Sequence, residues 1–283
     1  MKISMRKLSN LSAALLVGVL ALFASGCDKL KARSHINDGI AAFKSAKYAD
    51  AEEHFKQAAA LDPDNINGTL NLAVAYMAQW IPGATSPENL DFAVKAKEQF
   101  QKVLSKDPKD ESALEYLGNL AYNQAQSLPQ EQKLAMFDEA TQWFKQLIAV
   151  DPQKKEAYYY LGVIAYQKYH PALVLARVNL RMKDDEDPIK DKKVRDELSG
   201  QYSTIIDEGE ANLNKALEID PEYDDAMAYL SLLIRQKADL LDNVPDYKKQ
   251  EELANNWLNK NLETRKKKAA RQPAPGGIVQ DSK

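Results

Sequence analysis

The chain has one cysteine, three histidines and only 11 glycines in 283 residues. A lone thiol, Cys27, can close no internal disulfide and build no cysteine-rich zinc site. His35, His54 and His170 are dispersed, with no H-E-x-x-H or similar spacing. Each reads as a surface or packing residue rather than a ligand, and no metal is expected. No G-x-G-x-x-G, P-loop or G-x-S-x-G is present, so neither a cofactor nor a catalytic residue is expected. An excess of positive charge is also missing. The net charge is −3, which argues against generic nucleic-acid binding. Runs of β-branched residues are rare, while alanine, leucine, lysine and glutamate are abundant, a composition that favours helix. With 45% apolar and 28% charged residues, a folded core is expected.

The N-terminus is built differently from the rest. Lys2, Arg6 and Lys7 precede an apolar run from Leu11 to Phe23, followed by the small residues Ala24-Ser25-Gly26 before Cys27. This is the layout of a secretory signal peptide, and the run is shorter than the roughly 20 residues of a transmembrane span. The segment LFASGC resembles the lipobox of bacterial lipoproteins, with Ala24 where leucine is favoured. The resemblance implies removal of residues 1–26, lipidation of Cys27 and an anchor in the bacterial envelope, facing the extracytoplasmic space. Asp28 after the cysteine resembles an inner-membrane retention signal, which favours the inner membrane over the outer. Residues 27–31 are expected to form a short linker.

Four of the five Asp-Pro pairs in the remainder close a common pattern: Asp62-Pro63, Asp107-Pro108, Asp151-Pro152 and Asp220-Pro221. Upstream of each, the same face recurs at spacings of four and three: Ala51/Phe55/Ala58, Ala96/Phe100/Val103, Ala140/Phe144/Leu147 and Gly209/Leu213/Ala216. Those spacings lie on one side of a helix, and the proline ends it. Downstream of each comes a leucine followed by a small residue, at Leu72-Ala73, Leu117-Gly118, Leu161-Gly162 and Leu230-Ser231, where a partner helix can approach closely. The pattern resembles the tetratricopeptide repeat, a helix–turn–helix of 34 residues. The resemblance implies an all-α, right-handed superhelical solenoid over 32–264. It holds repeats at 32–64, 65–109, 110–153 and 154–222, with a degenerate capping pair from Tyr223. The prolines of these four pairs are 45, 44 and 69 residues apart, and the excess falls between the two helices of a repeat. Ser86-Pro87-Glu88 and Pro129 read as helix starts in two of these insertions. The longest insertion, 167–207 in repeat four, is expected to buttress the solenoid. Within it, Asp184-Asp185-Glu186-Asp187 reads as a solvated loop, since it lacks the glycine and alternating ligands of a calcium loop.

In the last helix Leu253, Trp257, Leu258 and Leu262 read as one apolar stripe beneath a polar outer face. Residues 265–283 hold six basic residues and one acidic and are expected to be a disordered tail.

In the tetratricopeptide family the first helix of each repeat lines a concave groove. Carried onto this chain, that implies a partner-binding face at Asn71, Tyr116, Asn119, Asn123, Tyr159 and Tyr160, bordered by Asn67, Glu115, Tyr122 and Tyr166. Tyrosine offers a rigid apolar face with a polar tip, and asparagine bonds to backbone amides. The expected partner is therefore a protein or peptide. The lysine/asparagine/arginine set that relatives use to clamp a C-terminal carboxylate is not present. By analogy of fold, the implied role is a scaffold of envelope assembly, secretion or pilus biogenesis. Two other readings stand beside it: a small-ligand binder or enzyme with a pocket capped by the repeat-four insertion, and a homo-oligomeric structural protein.

Overall fold

The computed structural model describes residues 27–183 and 188–271. The signal segment 1–26, the acidic run 184–187 and the last twelve residues of the expected tail lie outside the described residues. Among those described, ten helices and no strand are found. They are α1 (27–44), α2 (Tyr48–Leu61), α3 (Ile66–Gln79), α4 (Pro87–Lys106), α5 (Glu111–Gln126), α6 (Gln130–Val150), α7 (Lys155–Asn179), α8 (Lys192–Ile219), α9 (Asp224–Ala238) and α10 (Val244–Arg271). None is long and apolar enough to cross a membrane. Helices α3 and α4, α7 and α8, and α9 and α10 pair as the repeats predict. The helices fall into two compact units divided between Met136 and Phe137.

The four Asp-Pro pairs that close the pattern have a common local cause. Each aspartate ends its helix by donating its N–H to the carbonyl four residues back, at Ala58, Val103, Leu147 and Ala216. Its own carbonyl then accepts from Asn65, Asp110, Lys154 or Tyr223 three residues on. In three of the four, the carboxylate also accepts the N–H two residues on: Lys109 at 3.0 Å, Gln153 at 2.8 Å and Glu222 at 2.9 Å. Aspartate thus supplies a turn acceptor and proline removes the donor that would extend the helix.

In the first unit, α2, α3, α4 and α5 pack in sequence. Ala51, Phe55, Ala58, Ala96, Phe100 and Val103 are all buried, as is the Leu-small pair of α3 and of α5. Ser86 caps α4 with proline at its first position, and its hydroxyl accepts the Asn89 N–H. The buried Asn89 side chain then organises the inserted turn before it. Its Oδ1 accepts Ile81 N–H at 2.7 Å, and its Nδ2 donates to the carbonyls of Ile81 at 2.8 Å and Ala84 at 2.9 Å. Gly83 in that turn has φ +84°.

In the second unit, α7 packs on α8, and α9 packs on α7, α8 and α10. The repeat-four insertion lengthens α7 and α8. Tyr169, Leu173, Ile189, Leu198 and Ile206, all from the insertion, are buried in one core with Met227, Leu230 and Leu233 of α9. This is the buttress expected of it. Helices α7 and α8 touch at glycine: a Cβ added at Gly162 would lie 2.3 Å from Leu213 Cγ, and one at Gly209 would lie 2.5 Å from Ala165 Cβ.

Three expectations at the chain's ends are corrected. Residues 27–31 are helical, as part of α1, rather than a linker, and Ala32 is fully buried. Helix α10 buries Tyr247, Ala254, Asn261 and Thr264, while Leu253, Leu258 and Leu262 are exposed at 43%, 41% and 48%. Of the predicted stripe, only Trp257 packs against the core. Polar bonds choose the buried face: Ser231 Oγ donates to Ala254 O at 2.7 Å, and Asn261 Nδ2 donates to Asp224 O at 2.6 Å. The helix also continues over 265–271, where a disordered tail is expected. Arg265 pairs with Asp224 and Asp225, Lys268 with Asp224, and Arg271 with Glu222. These acids stand at the start of α9, where negative side chains are favoured by the helix dipole.

Candidate functional site

The two units carry separate candidate faces. In the first, Tyr116, Asn119 and Asn123 follow one another along α5 at spacings of three and four. All are half-buried, on a side distinct from the buried Ala113, Leu117, Ala121 and Ala125. Asn71 is half-buried on α3, one place before Leu72, as Tyr116 is before Leu117. Tyr116 is held by packing: its ring stacks on that of buried Phe100 at 5.2 Å between centroids, with 13° between planes. Asn119 keeps its side-chain oxygen shielded from solvent and without a hydrogen-bond partner. Leaving such an acceptor unmet costs about 1–3 kcal/mol.

In the second unit Tyr160 repeats the Tyr116 arrangement one repeat later, stacked on Phe144 at 4.8 Å and 3°. Tyr159 sits in a tyrosine cluster with ring centroids 5.4 Å from Tyr160, 5.1 Å from Tyr223 and 5.7 Å from Tyr229. Tyr229 meets Tyr166 at 5.6 Å, and Tyr166 stacks on His170 at 4.9 Å. Burial pushes the hydroxyl pKa values of Tyr166, Tyr223 and Tyr229 up, so these rings stay neutral. Lys155 Nζ lies 5.0 Å over the Tyr223 ring. The result is a strip of aromatic side chains along α7 and α9.

The strip ends at a cavity of about 340 Å³. Tyr166, His170, Leu173, Val174, Leu232 and Tyr247 line it, together with the charged or polar Arg177, Arg235, Gln236, Asp239 and Glu251. Arg177 and Asp239 are both buried and form a two-point ion pair, and Arg177 also donates to Lys183 O at 2.8 Å. Burial pushes the Asp239 carboxyl up to about 6, against the opposing pull of the Arg177 guanidinium. Arg235 pairs with Glu251 and bonds Asn255 Oδ1 at 2.9 Å. Gln236 Nε2 meets His170 Nδ1 at 2.6 Å, leaving Gln236 Oε1 without a partner, and Glu251 Oε1 is also shielded and unpartnered. The walls are thus part apolar and part polar, the charges balance, and two acceptors remain for a ligand's N–H or O–H groups.

The sequence reading places the tyrosines of α7 but not the contributions of α9 and α10. Arg177 and Asp239 are 62 residues apart, and no local motif joins them. The structure also brings together residues read as unrelated: His35, Asp38 and His54, on α1 and α2, place their ligand-type atoms within 4.8 Å of one another. Cys27, the expected lipidation site, is exposed on α1.

A model of the tetratricopeptide repeat matches residues 37–79. No curated protein sequence matches the chain. Among solved structures, the "MamA RS-1 ArsTM double mutant" is similar with a TM-score of 0.55 at 16% identity, over 85% of this chain and 97% of that one. "MamA 41-end from Desulfovibrio magneticus RS-1" gives 0.54 at 16% identity, over 84% and 96%. A further MamA crystal structure gives 0.51 at 16% identity, over 87% and 98%. The likeness is one of fold. The chain is an all-α helical solenoid of tetratricopeptide-type hairpins.

Proposed function

We propose that the protein is a lipid-anchored, extracytoplasmic scaffold that binds a protein or peptide partner on the first-helix faces of its hairpins. The observation that carries this reading is the tyrosine strip of α7 and α9 running into a cavity with unpartnered acceptors. An extended peptide has a matching form: a backbone to lie against aromatic faces, and a side chain bearing N–H groups to enter the cavity. Stacked tyrosines lose little entropy when covered, because their neighbours already fix them. The role in envelope assembly, secretion or pilus biogenesis extends this by analogy of fold, and the inner membrane follows from Asp28. Acylation of Cys27 supplies the anchor, at about 0.8 kcal/mol for each buried CH₂.

The test is capture from native envelope extract with a Cys27→Ser bait, beside two matched baits of unchanged helicity. One carries Tyr116→Ala and Asn119→Ala, the other Tyr159→Ala and Tyr166→Ala. A partner kept by the parent and lost with either variant assigns the working face. A partner retained by both variants overturns the face assignment. If no partner is captured, the scaffold reading fails. Fatty-acid labelling of the full chain, lost in Cys27→Ser, tests the anchor separately. The cavity's enclosed acceptors favour a second reading, a small polar ligand; a shift of melting temperature by low-mass extract alone would support it.

A further inference from the structure

We infer that the first hairpin carries a site for a divalent transition-metal ion, held by His35, Asp38 and His54. His35 and Asp38 are three residues apart on α1 and share its face. His54 comes from α2, 19 residues from His35. What unites them is a close crossing of the two helices. A Cβ added at Gly39 would lie 2.5 Å from the Phe55 ring, so α1 and α2 approach closely at the residues next to Asp38 and His54. The absent side chain at Gly39 therefore sets the spacing of the ligands beside it.

The spacing suits a metal better than it suits a hydrogen bond. The two Nδ1 atoms are 3.4 Å apart. For tetrahedral bonds of 2.0–2.1 Å, two nitrogens on one zinc ion lie about 3.3–3.4 Å apart. A hydrogen bond between the same atoms would be long and would need the two rings in opposite tautomers. Both histidines are half-buried and Asp38 is exposed, so the site is fixed on one side and open on the other. Ser34 Oγ, one turn back, donates to Asp38 Oδ2 at 3.5 Å, restraining the carboxylate in the manner of an outer-shell partner. Two imidazoles and one carboxylate select zinc, nickel or copper over magnesium or calcium, which prefer all-oxygen sites. Three protein ligands leave one tetrahedral position for water or for a group brought by a partner. His54 also borders an open space flanked by Asp50 and Glu53.

The experiment uses the untagged full chain with Cys27→Ser, which removes the thiol as a competing ligand. Zinc binding is read by competition with a chromogenic chelator, and cobalt substitution by visible absorption, whose intensity reports tetrahedral coordination. One zinc per chain is expected, with affinity reduced at least tenfold by Asp38→Asn and at least a hundredfold by His35→Asn with His54→Asn. An intense cobalt band is expected in the parent and not in the double variant. Far-ultraviolet circular dichroism and the melting temperature of each apo form establish that the variants fold. Equal zinc affinity in parent and double variant would overturn the site. So would a stoichiometry of half an ion per chain, or a weak cobalt band of octahedral type. Imidazole nitrogen shifts at both His35 and His54 on adding zinc supply a readout independent of the substitutions. None of these measurements depends on partner capture.

Discussion

Arg177 and Asp239 fasten the end of the inserted hairpin to the end of α9, and their burial makes the pair sensitive to pH. Burial raises the Asp239 carboxyl from 3.8 to about 6. A raised carboxyl contributes stability that is fully present below its unfolded value and is lost as pH rises through the folded value. Arg177→Met removes the guanidinium that opposes the shift, so the folded pKa climbs further. At pH 7.5 the variant buries an uncompensated carboxylate, a loss of about 3–5 kcal/mol. At pH 5 that carboxyl is protonated and the deficit against the parent narrows. Urea denaturation at the two pH values measures both; an equal deficit at each would show that Asp239 is not the titrating group. None of this was legible in the sequence, because the two residues meet only once α7 and α9 are packed. The histidine pair was hidden for the same reason. Its signal is a register between two helices, and helical spacing within one segment does not report it. Tyr116 and Tyr160, by contrast, were legible as positions, although their flat stacking on Phe100 and Phe144 was not.

At the scale of the element, the helix faces were readable because burial and periodicity have one cause. All twelve residues of the four predicted faces are buried. The exception is α10, where leucines marked the wrong face. Hydrophobic pattern fails there because Ser231, Asn261 and the acidic start of α9 anchor the helix by polar bonds, and the smaller residues turn inward. The close pairing of α7 and α8 gives a prediction at this scale. In Gly209→Ala the new Cβ would meet Ala165 Cβ, which is bonded directly to the backbone and cannot swing away. A destabilisation of about 1–3 kcal/mol is expected from the forced separation of the helices. On the same helix, a Cβ at Gly200 meets nothing within 4 Å. Gly200→Ala should therefore stabilise by up to about 1 kcal/mol, the difference in helix propensity. Denaturant midpoints of the two variants should move in opposite directions; a shared direction would show that propensity, not the crossing, governs Gly209.

For the whole molecule, charge is arranged so that late sequence closes on earlier sequence. Residues 27–264 carry a net −11, and the basic run that follows offsets part of it. Composition suggested a free tail, because a cluster of like charges beside a Pro/Gly-rich end has the signature of disorder. Composition does not show where the counter-charges stand. Replacing Arg265, Lys268 and Arg271 together by glutamate should fray the end of α10 and lower the urea midpoint, with recovery of amide exchange protection as salt is added. The parent should respond to salt in the opposite direction, because exposed pairs are screened. The closure of α10 onto α9 has a consequence for how binding experiments will read. Arg265, Lys268 and Arg271 are already engaged, so an anionic surface would have to compete with Asp224, Asp225 and Glu222 for them. A salt-dependent loss of signal at this end of the chain would therefore include a helix letting go of its own protein, and not a released partner alone.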